Sequence, residues 1–122
     1  MGCIGAKLKV RVIEWYINPS WVYFMIEDFR DGWLRRFFLD DVRIPSIPVD
    51  IEARLFRKLQ MIDDATCDKD LRVPMSNHFE KLRGDLAGFH SIRVNKKWRI
   101  IFRWDASHGK ASQLYLDDHS YD

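Results

Sequence analysis

Five side chains between residues 80 and 119 carry functional groups that can move protons or stabilise negative charge. Glu80 and Asp118 are carboxylates, His119 is an imidazole, and Arg83 and Arg99 carry guanidinium groups. RNA cleavage needs little more than this, because the 2′-hydroxyl is an internal nucleophile. We expect the carboxylates and the imidazole to move protons and the two arginines to stabilise the phosphate, with no metal or other cofactor. The alternative for Glu80 is an ordinary surface residue on a strand.

Positive charge is concentrated between residues 77 and 104. The whole chain has 20 basic and 18 acidic residues, whereas this stretch has seven basic residues and two acidic ones. One face of a nearly neutral molecule is therefore expected to attract a polyanion such as RNA. An alternative is a solvated strand face whose cations pair with acidic residues across the sheet. The predicted RNA-binding residues are Lys81, Arg83, Arg93, Lys96, Lys97, Arg99 and Arg103.

Several other kinds of site have no support in the sequence. Ser91 lacks the Gly-x-Ser-x-Gly setting of a serine hydrolase, and no glycine-rich phosphate loop occurs. The histidines lack the HxxxH or HxH spacing that would predict a zinc site. They are His78, His90, His108 and His119.

The composition predicts a single domain in the cytoplasm. The chain has 122 residues, of which 47% are hydrophobic, which is enough for one core. Cys3 and Cys67 are far apart and lack metal-ligand spacing, and the amino end lacks the regions of a signal peptide. Charged residues interrupt every hydrophobic run before it reaches the roughly 20 residues of a membrane span. We therefore expect a cytoplasmic protein without a membrane partner.

Hydrophobic spacing predicts helices first and strands afterwards. Ile26 and Phe29 suit a short strand, residues 33–39 suit a helix, and the apolar residues from Ile51 to Ile62 recur with the period of a longer helix. Residues 64–77 are expected to form a connection. Four strands are predicted, at residues 79–82, 90–95, 98–104 and 113–117, with turns near Gly84, Gly88, Asn95 and Gly109.

Alternation along these strands separates a basic face from an apolar face. Arg99 and Arg103 alternate with Phe102 and Trp104, and the ring of Trp98 is expected to lie in the core rather than to stack on bases. The expected architecture is α+β, with two N-terminal helices packed on a small twisted antiparallel sheet. Because Arg99 lies on the polar face, replacing it by Ala is expected to leave the fold intact.

The first 24 residues do not fit this pattern. Residues 7–12 alternate like a strand, but Asn18, Pro19 and Ser20 interrupt the run, and Met25 follows directly. We interpret Met25 as the biological start, residues 1–24 as an upstream extension or non-native leader, and residues 25–122 as a single domain. The alternative is a genuine appendage that covers a sheet edge.

The charged stretch also contains a specific combination of motifs. The residues are NHFEKLRGD at 77–85, Gly88, SIRVN at 91–95 and WRIIFRW at 98–104. This combination resembles the HigB-type toxins of the RelE superfamily, which belong to type II toxin-antitoxin systems. The likeness covers most of residues 25–120 and excludes residues 1–24.

The resemblance implies a small bacterial cytoplasmic toxin with a RelE-like fold that cleaves messenger RNA during translation in the ribosomal A site. It also implies a HigA-type helix-turn-helix antitoxin, and contact with operator DNA only through the toxin-antitoxin complex. By position, Arg99 corresponds to a phosphate-stabilising arginine of the family. Arg83 corresponds to a basic position before a glycine, and Glu80 to a position where some members have His and others Glu.

The chain departs from the family pattern at its carboxyl end. Members often end in Asp-Tyr-His, whereas this chain has Asp118-His119-Ser120 at the corresponding positions. If the alignment shifts by one residue, His119 matches the terminal His instead. Leu86 stands where a basic residue is usual. The alternative function is therefore a non-catalytic module that binds RNA or a protein through the same basic sheet face.

Overall fold

The computed structural model describes residues 26–118. The predicted extension at 1–24, the predicted start at Met25, and His119 lie outside the described residues. No helix within the described range is long and apolar enough to cross a bilayer. The helices are α1 (Gly32–Leu39), α2 (Glu52–Asp64) and α3 (Asp68–Arg72), and the strands are β1 (Glu80–Lys81), β2 (Phe89–Arg93), β3 (Arg99–Asp105) and β4 (Lys110–Asp117).

The predicted α+β architecture is confirmed, with helices and a four-stranded antiparallel sheet in the order β1-β2-β3-β4. The predicted longer helix is α2, whose Leu55, Leu59 and Ile62 are fully buried. Phe102 and Trp104 on β3 are also buried, and Trp98 packs against the same core. The apolar stripe of α2 and one face of the sheet therefore share a single core.

Two tight connections set the sheet register. After β2, the side-chain oxygen of Asn95 accepts hydrogen bonds from the backbone N–H groups of Lys97 and Trp98, at 2.8 and 2.7 Å. After β3, the backbone N–H of Gly109 donates to the carbonyl of Asp105 at 2.8 Å. Asn and Gly are suited to such turns, and the predicted turns at Asn95 and Gly109 are confirmed. This register places Arg93 opposite Arg99.

A bulge in β4 re-aligns the end of the sheet. Ile101 pairs with Tyr115, but Arg103 pairs with Ser112, so β4 has one extra residue between these pairs. Gln113 lies in this segment with a φ of 54°. The extra residue shifts the alternation of side chains. As a result, Tyr115 lies on the same sheet face as Ile101.

Two predictions about local structure are corrected. The strand expected at Ile26 and Phe29 consists only of two isolated parallel bridges to β4. The backbone N–H of Ile26 instead donates to the carboxylate of Asp63 on α2 at 2.9 Å. The connection expected at 64–77 contains the short helix α3. Its Leu71 is fully buried, so tertiary packing favours this helix where local sequence shows only turn residues.

Candidate active site

Arg99 is the centre of the polar sheet face and is nevertheless buried, with 2% of its side chain exposed. Its Nε donates to the hydroxyl oxygen of Ser91 at 3.0 Å. One Nη2 contact is with the carbonyl of His78 at 2.8 Å, and another is with Oε1 of Glu80 at 3.0 Å. Within residues 26–118, Nη1 has no hydrogen-bond partner. The guanidinium is therefore fixed by protein acceptors, and the two N–H groups of Nη1 are the ones without an acceptor among residues 26–118.

The burial of Arg99 corrects the expectation that Ala at this position leaves the fold intact. The side chain does lie on the polar face, as alternation predicted, but the segment from His78 to Glu80 covers it. Removing the guanidinium would leave the Ser91 hydroxyl and the His78 carbonyl without their donor. A loss of stability is expected instead, because buried polar groups without partners are costly.

The backbone at His78 has an uncommon conformation that serves this contact. Its φ is 45° and its ψ is 53°, in the left-handed region, and it directly follows the 3-10 turn Met75–Asn77. Non-glycine residues in this region are uncommon and are often found at functional sites. The side chain of Asn77 holds the turn, since its amide nitrogen donates to the carbonyl of Leu71 at 3.1 Å. The His78 carbonyl is thereby presented to Arg99.

Glu80 and Arg83, two predicted site residues, border the same cleft. This cleft has a volume of about 630 Å³ and is formed by β1 and the loop that follows it. Its lining also includes Lys81, Leu86 and the carboxylate of Asp85, so positive and negative charges are balanced there. Of the Glu80 side chain, 55% is exposed. Glu80 is thus open to a ligand in the cleft while it contacts Arg99.

Asp118 lies on the opposite side of Arg99 from Glu80. It is exposed and directly follows β4, whose last residue, Asp117, is in register with Arg99. Because β1 and β4 are the two edges of the sheet, their backbones are separated by three strand spacings, or about 14 Å. The structure therefore places Glu80 toward one edge of the Arg99 site and Asp118 toward the other.

The other predicted RNA-binding residues are dispersed around this centre. Arg93 and Arg103 share the sheet face with Arg99, as the strand alternation predicted. Lys96 and Lys97 are exposed in the turn between β2 and β3. Lys81 pairs with His90 on β2 and so belongs to the face opposite Glu80, although it borders the same cleft. The basic face is thus centred on the arginines rather than on the lysines.

Two aromatic rings, which are not among the predicted site residues, also lie on this face. The rings of Phe89 and Tyr115 pack edge to face, with their centroids 6.4 Å apart. The guanidinium of Arg103 lies 5.3 Å from the Phe89 ring, and that of Arg30 lies 4.4 Å from the Tyr115 ring. Burial raises the pKa of the Tyr115 phenol, and the nearby Arg30 partly opposes that rise. Strand alternation along β2 predicts that Phe89 lies on this face. The bulge in β4 shifts the alternation there, so the sequence pattern does not predict the position of Tyr115.

Comparisons with known proteins identify relatives across the described range. The family model that matches residues 27–119 is described as the RelE-like toxin of type II toxin-antitoxin system HigB. Toxin HigB-1 of Vibrio cholerae serotype O1 is 50% identical over 97 residues, which cover 80% of this chain and 100% of that protein. An uncharacterized protein of Haemophilus influenzae is 40% identical over 95 residues, which cover 78% of this chain and 92% of that protein.

Proposed function

Because the chain belongs to the HigB family of RelE-like toxins of type II toxin-antitoxin systems, we propose that it cleaves messenger RNA during translation in the ribosomal A site. The family resemblance inferred from the sequence motifs is confirmed. Membership of a type II system implies an antitoxin partner. We propose that this partner is a HigA-type helix-turn-helix protein, and that the toxin contacts operator DNA only through their complex. We also propose that the toxin acts in the cytoplasm.

The observation that carries the proposed activity is the arrangement of Arg99 and Glu80. Arg99 is held by Ser91, His78 and Glu80, and its Nη1 hydrogens have no partner among residues 26–118. A guanidinium that is already oriented stabilises charge on a phosphate without reorganising during the reaction. Nη1 carries the remaining N–H donors for a phosphate oxygen, and Glu80 supplies a carboxylate 3.0 Å from Nη2.

The proposed reaction begins when a carboxylate accepts the proton of the RNA 2′-hydroxyl. Glu80 is the first candidate because it contacts Arg99, and Asp118 is the second. The 2′-oxygen then forms a bond to the adjacent phosphorus, and the bond between phosphorus and the 5′-oxygen breaks. Arg99 stabilises the charge on the pentacovalent phosphate, and Arg83 in the neighbouring cleft adds a second cation.

The leaving 5′-oxygen must receive a proton from the other side of the phosphate. The carboxyl-terminal end of β4 lies on that side, and His119 is the proposed donor. The products are a 2′,3′-cyclic phosphate and a free 5′-hydroxyl, and the proton balance requires no metal. This division holds when Glu80 is the acceptor, because Glu80 and the carboxyl-terminal end of β4 lie toward opposite edges of the sheet and an in-line displacement needs proton transfer on two sides.

The test is a brief induction of the full chain in bacteria, followed by mapping of RNA 5′ ends across the transcriptome. We expect new ends inside coding regions, in phase with codons, for the wild-type protein. Glu80→Gln removes the proton acceptor but keeps a side chain of the same shape, and should reduce the new ends about a hundredfold or more. Glu27→Gln is the matched control, because Glu27 is exposed and lies near Ala111, at the far end of β4.

Equal cleavage by Glu80→Gln and the wild type would exclude Glu80 as the base and direct attention to Asp118. If the folded wild-type protein binds RNA but produces no new ends, the proposed activity fails. That result would favour the non-catalytic binding module that uses the same sheet face.

A further inference from the structure

A second cleft, which the proposed reaction does not use, lies between α2 and the sheet. We call it the basic cleft, and it has a volume of about 550 Å³. Its charged and titratable lining residues are Arg54, Arg57, Lys58, His78 and Arg93, and the four other lining residues are uncharged. The cleft beside Glu80 is lined by equal numbers of acidic and basic side chains, whereas the basic cleft is lined by basic side chains and by no acidic one. Lys58 donates a short hydrogen bond to Oδ1 of Asn77, and Arg54 donates to the carbonyl of Val94 at 3.5 Å, but within residues 26–118 no carboxylate balances the charge of the cleft.

The cations of α2 form a row along one face of the helix. Arg54, Arg57 and Lys58 are three and four residues apart, so their Cβ atoms are about 5–6 Å apart. None of the three forms an ion pair with a described carboxylate. The pKa of Lys58 is lowered by burial first and then by the positive charges of Arg54 and Arg57. A bound anion would relieve both the repulsion and the burial of positive charge.

Arg93 provides an independent sign of a missing ligand. Its Nε is buried, and it has no hydrogen-bond partner within residues 26–118. A buried donor without an acceptor costs free energy unless a ligand supplies one. Arg93 lines the basic cleft and contributes a donor that no described protein atom satisfies.

The basic cleft is adjacent to the Arg99 site. His78 lines the cleft, and its carbonyl accepts the Arg99 hydrogen bond at 2.8 Å. Arg93 lines the cleft and is the cross-strand partner of Arg99. A strand whose scissile phosphate lies at Arg99 can therefore extend into the cleft without leaving the protein surface.

We propose that the basic cleft binds the phosphate backbone of RNA at a position beside the Arg99 site and distinct from it. The identity of the occupant rests on the proposed RNA-cleaving function. An acidic protein segment is the competing occupant. RNA is favoured because the cleft is contiguous with Arg99, and because three of its cations are arginines, whose planar donors fit phosphate oxygens.

The test compares the salt dependence of RNA binding in three versions of the full chain. The ligand is a fluorescent single strand of about 12 nucleotides. It is 2′-O-methylated, so it has no 2′-hydroxyl nucleophile and cannot be cleaved. The variants are Arg54→Gln with Arg57→Gln, and the control Arg35→Gln with Arg36→Gln, which removes two exposed charges of α1. Arg54 and Arg57 are exposed, so equal thermal melting is expected for all three proteins.

Each lost phosphate contact lowers the slope of log K against log salt by about 0.7 for a single strand, so the cleft variant should lose about 1.4. When the salt concentration rises from about 50 to 200 mM, the fold-loss of RNA affinity should be about seven times smaller for the cleft variant than for the wild type. The control should keep the wild-type slope. If the cleft variant melts early, the single variant Arg57→Gln should still lose about 0.7.

A cleft variant whose slope matches that of the control overturns the proposal. Unchanged RNA binding with loss of binding to a poly-glutamate peptide also overturns it, and assigns the cleft to an acidic protein. Failure of the proposed function is distinguishable. If the wild-type protein binds RNA through the basic cleft but cleaves none, the proposal for the cleft stands and the proposed cleavage fails. If the wild-type protein cleaves RNA normally but the cleft variant keeps the wild-type slope, the proposed cleavage stands and the proposal for the cleft fails.

Discussion

Replacing Arg99 by Ala is expected to destabilise the protein substantially, although Arg99 belongs to the polar sheet face. The guanidinium donates to the Ser91 hydroxyl at 3.0 Å and to the His78 carbonyl at 2.8 Å, and both bonds are at least partly buried. A hydrogen bond from a charged donor contributes about 1.5 kcal/mol or more, so these two contribute about 3 kcal/mol. The contact with Glu80 adds less than about 1 kcal/mol, since that carboxylate is 55% exposed.

Arg103→Ala is the matched comparison, because it removes the same side chain from the same face of the same strand. Arg103 is exposed and contacts the Phe89 ring at 5.3 Å. Such an exposed cation–π contact contributes about 0.5–1 kcal/mol. The difference between the two variants should therefore be about 2 kcal/mol or more in the free energy of unfolding.

Urea unfolding monitored by circular dichroism measures these values, and thermal melting provides a second estimate. For a domain of this size, a loss of about 3 kcal/mol lowers Tm by about 12 °C. If Arg99→Ala were as stable as Arg103→Ala, the buried hydrogen bonds of Arg99 would contribute nothing to stability, which would contradict the prediction. The result also decides how toxicity assays are interpreted, because an unfolded Arg99→Ala protein loses activity for a reason unrelated to catalysis.

Two further predictions concern the frame around the site. Gly109→Ala should lower the free energy of unfolding in urea more than Gly84→Ala does. Both glycines have a φ near +64°, which costs an L-residue about 1 kcal/mol, but of the two only Gly109 would place a Cβ 2.5 Å from a backbone oxygen, that of Thr66. Equal losses of stability in the two variants would contradict that contact. Burial lowers the pKa of His90 in the folded protein. Its contribution to stability is therefore complete above the pKa of the unfolded chain, about 6.5, and is lost as the pH falls from there through the lower pKa of the folded protein. Replacing His90 by Gln should therefore reduce the loss of Tm between about pH 7 and pH 5, and parallel losses in both proteins would show that His90 does not contribute.

The sequence by itself determined helix α2, the alternation of the main strands and the family. The spacing of Leu55, Leu59 and Ile62 predicts α2, because a helix places residues three and four apart on one face. Strand alternation places Arg99 and Arg103 on one face, and the turn residues Asn95 and Gly109 mark the ends of the hairpins. These patterns depend on neighbouring residues in the chain, so they are visible without any tertiary contact.

Only the tertiary structure decided what surrounds Arg99 and which cations act together. The acceptors at His78, Glu80 and Ser91 are 21, 19 and 8 residues away from Arg99, and the strand register brings them to it. Likewise, the basic cleft joins α2 to Arg93 from a different element. Burial and pairing depend on long-range packing around the shared core, which strand periodicity does not encode. For that reason, the pattern placed Arg99 on the correct face, and only the fold determined that it is buried there.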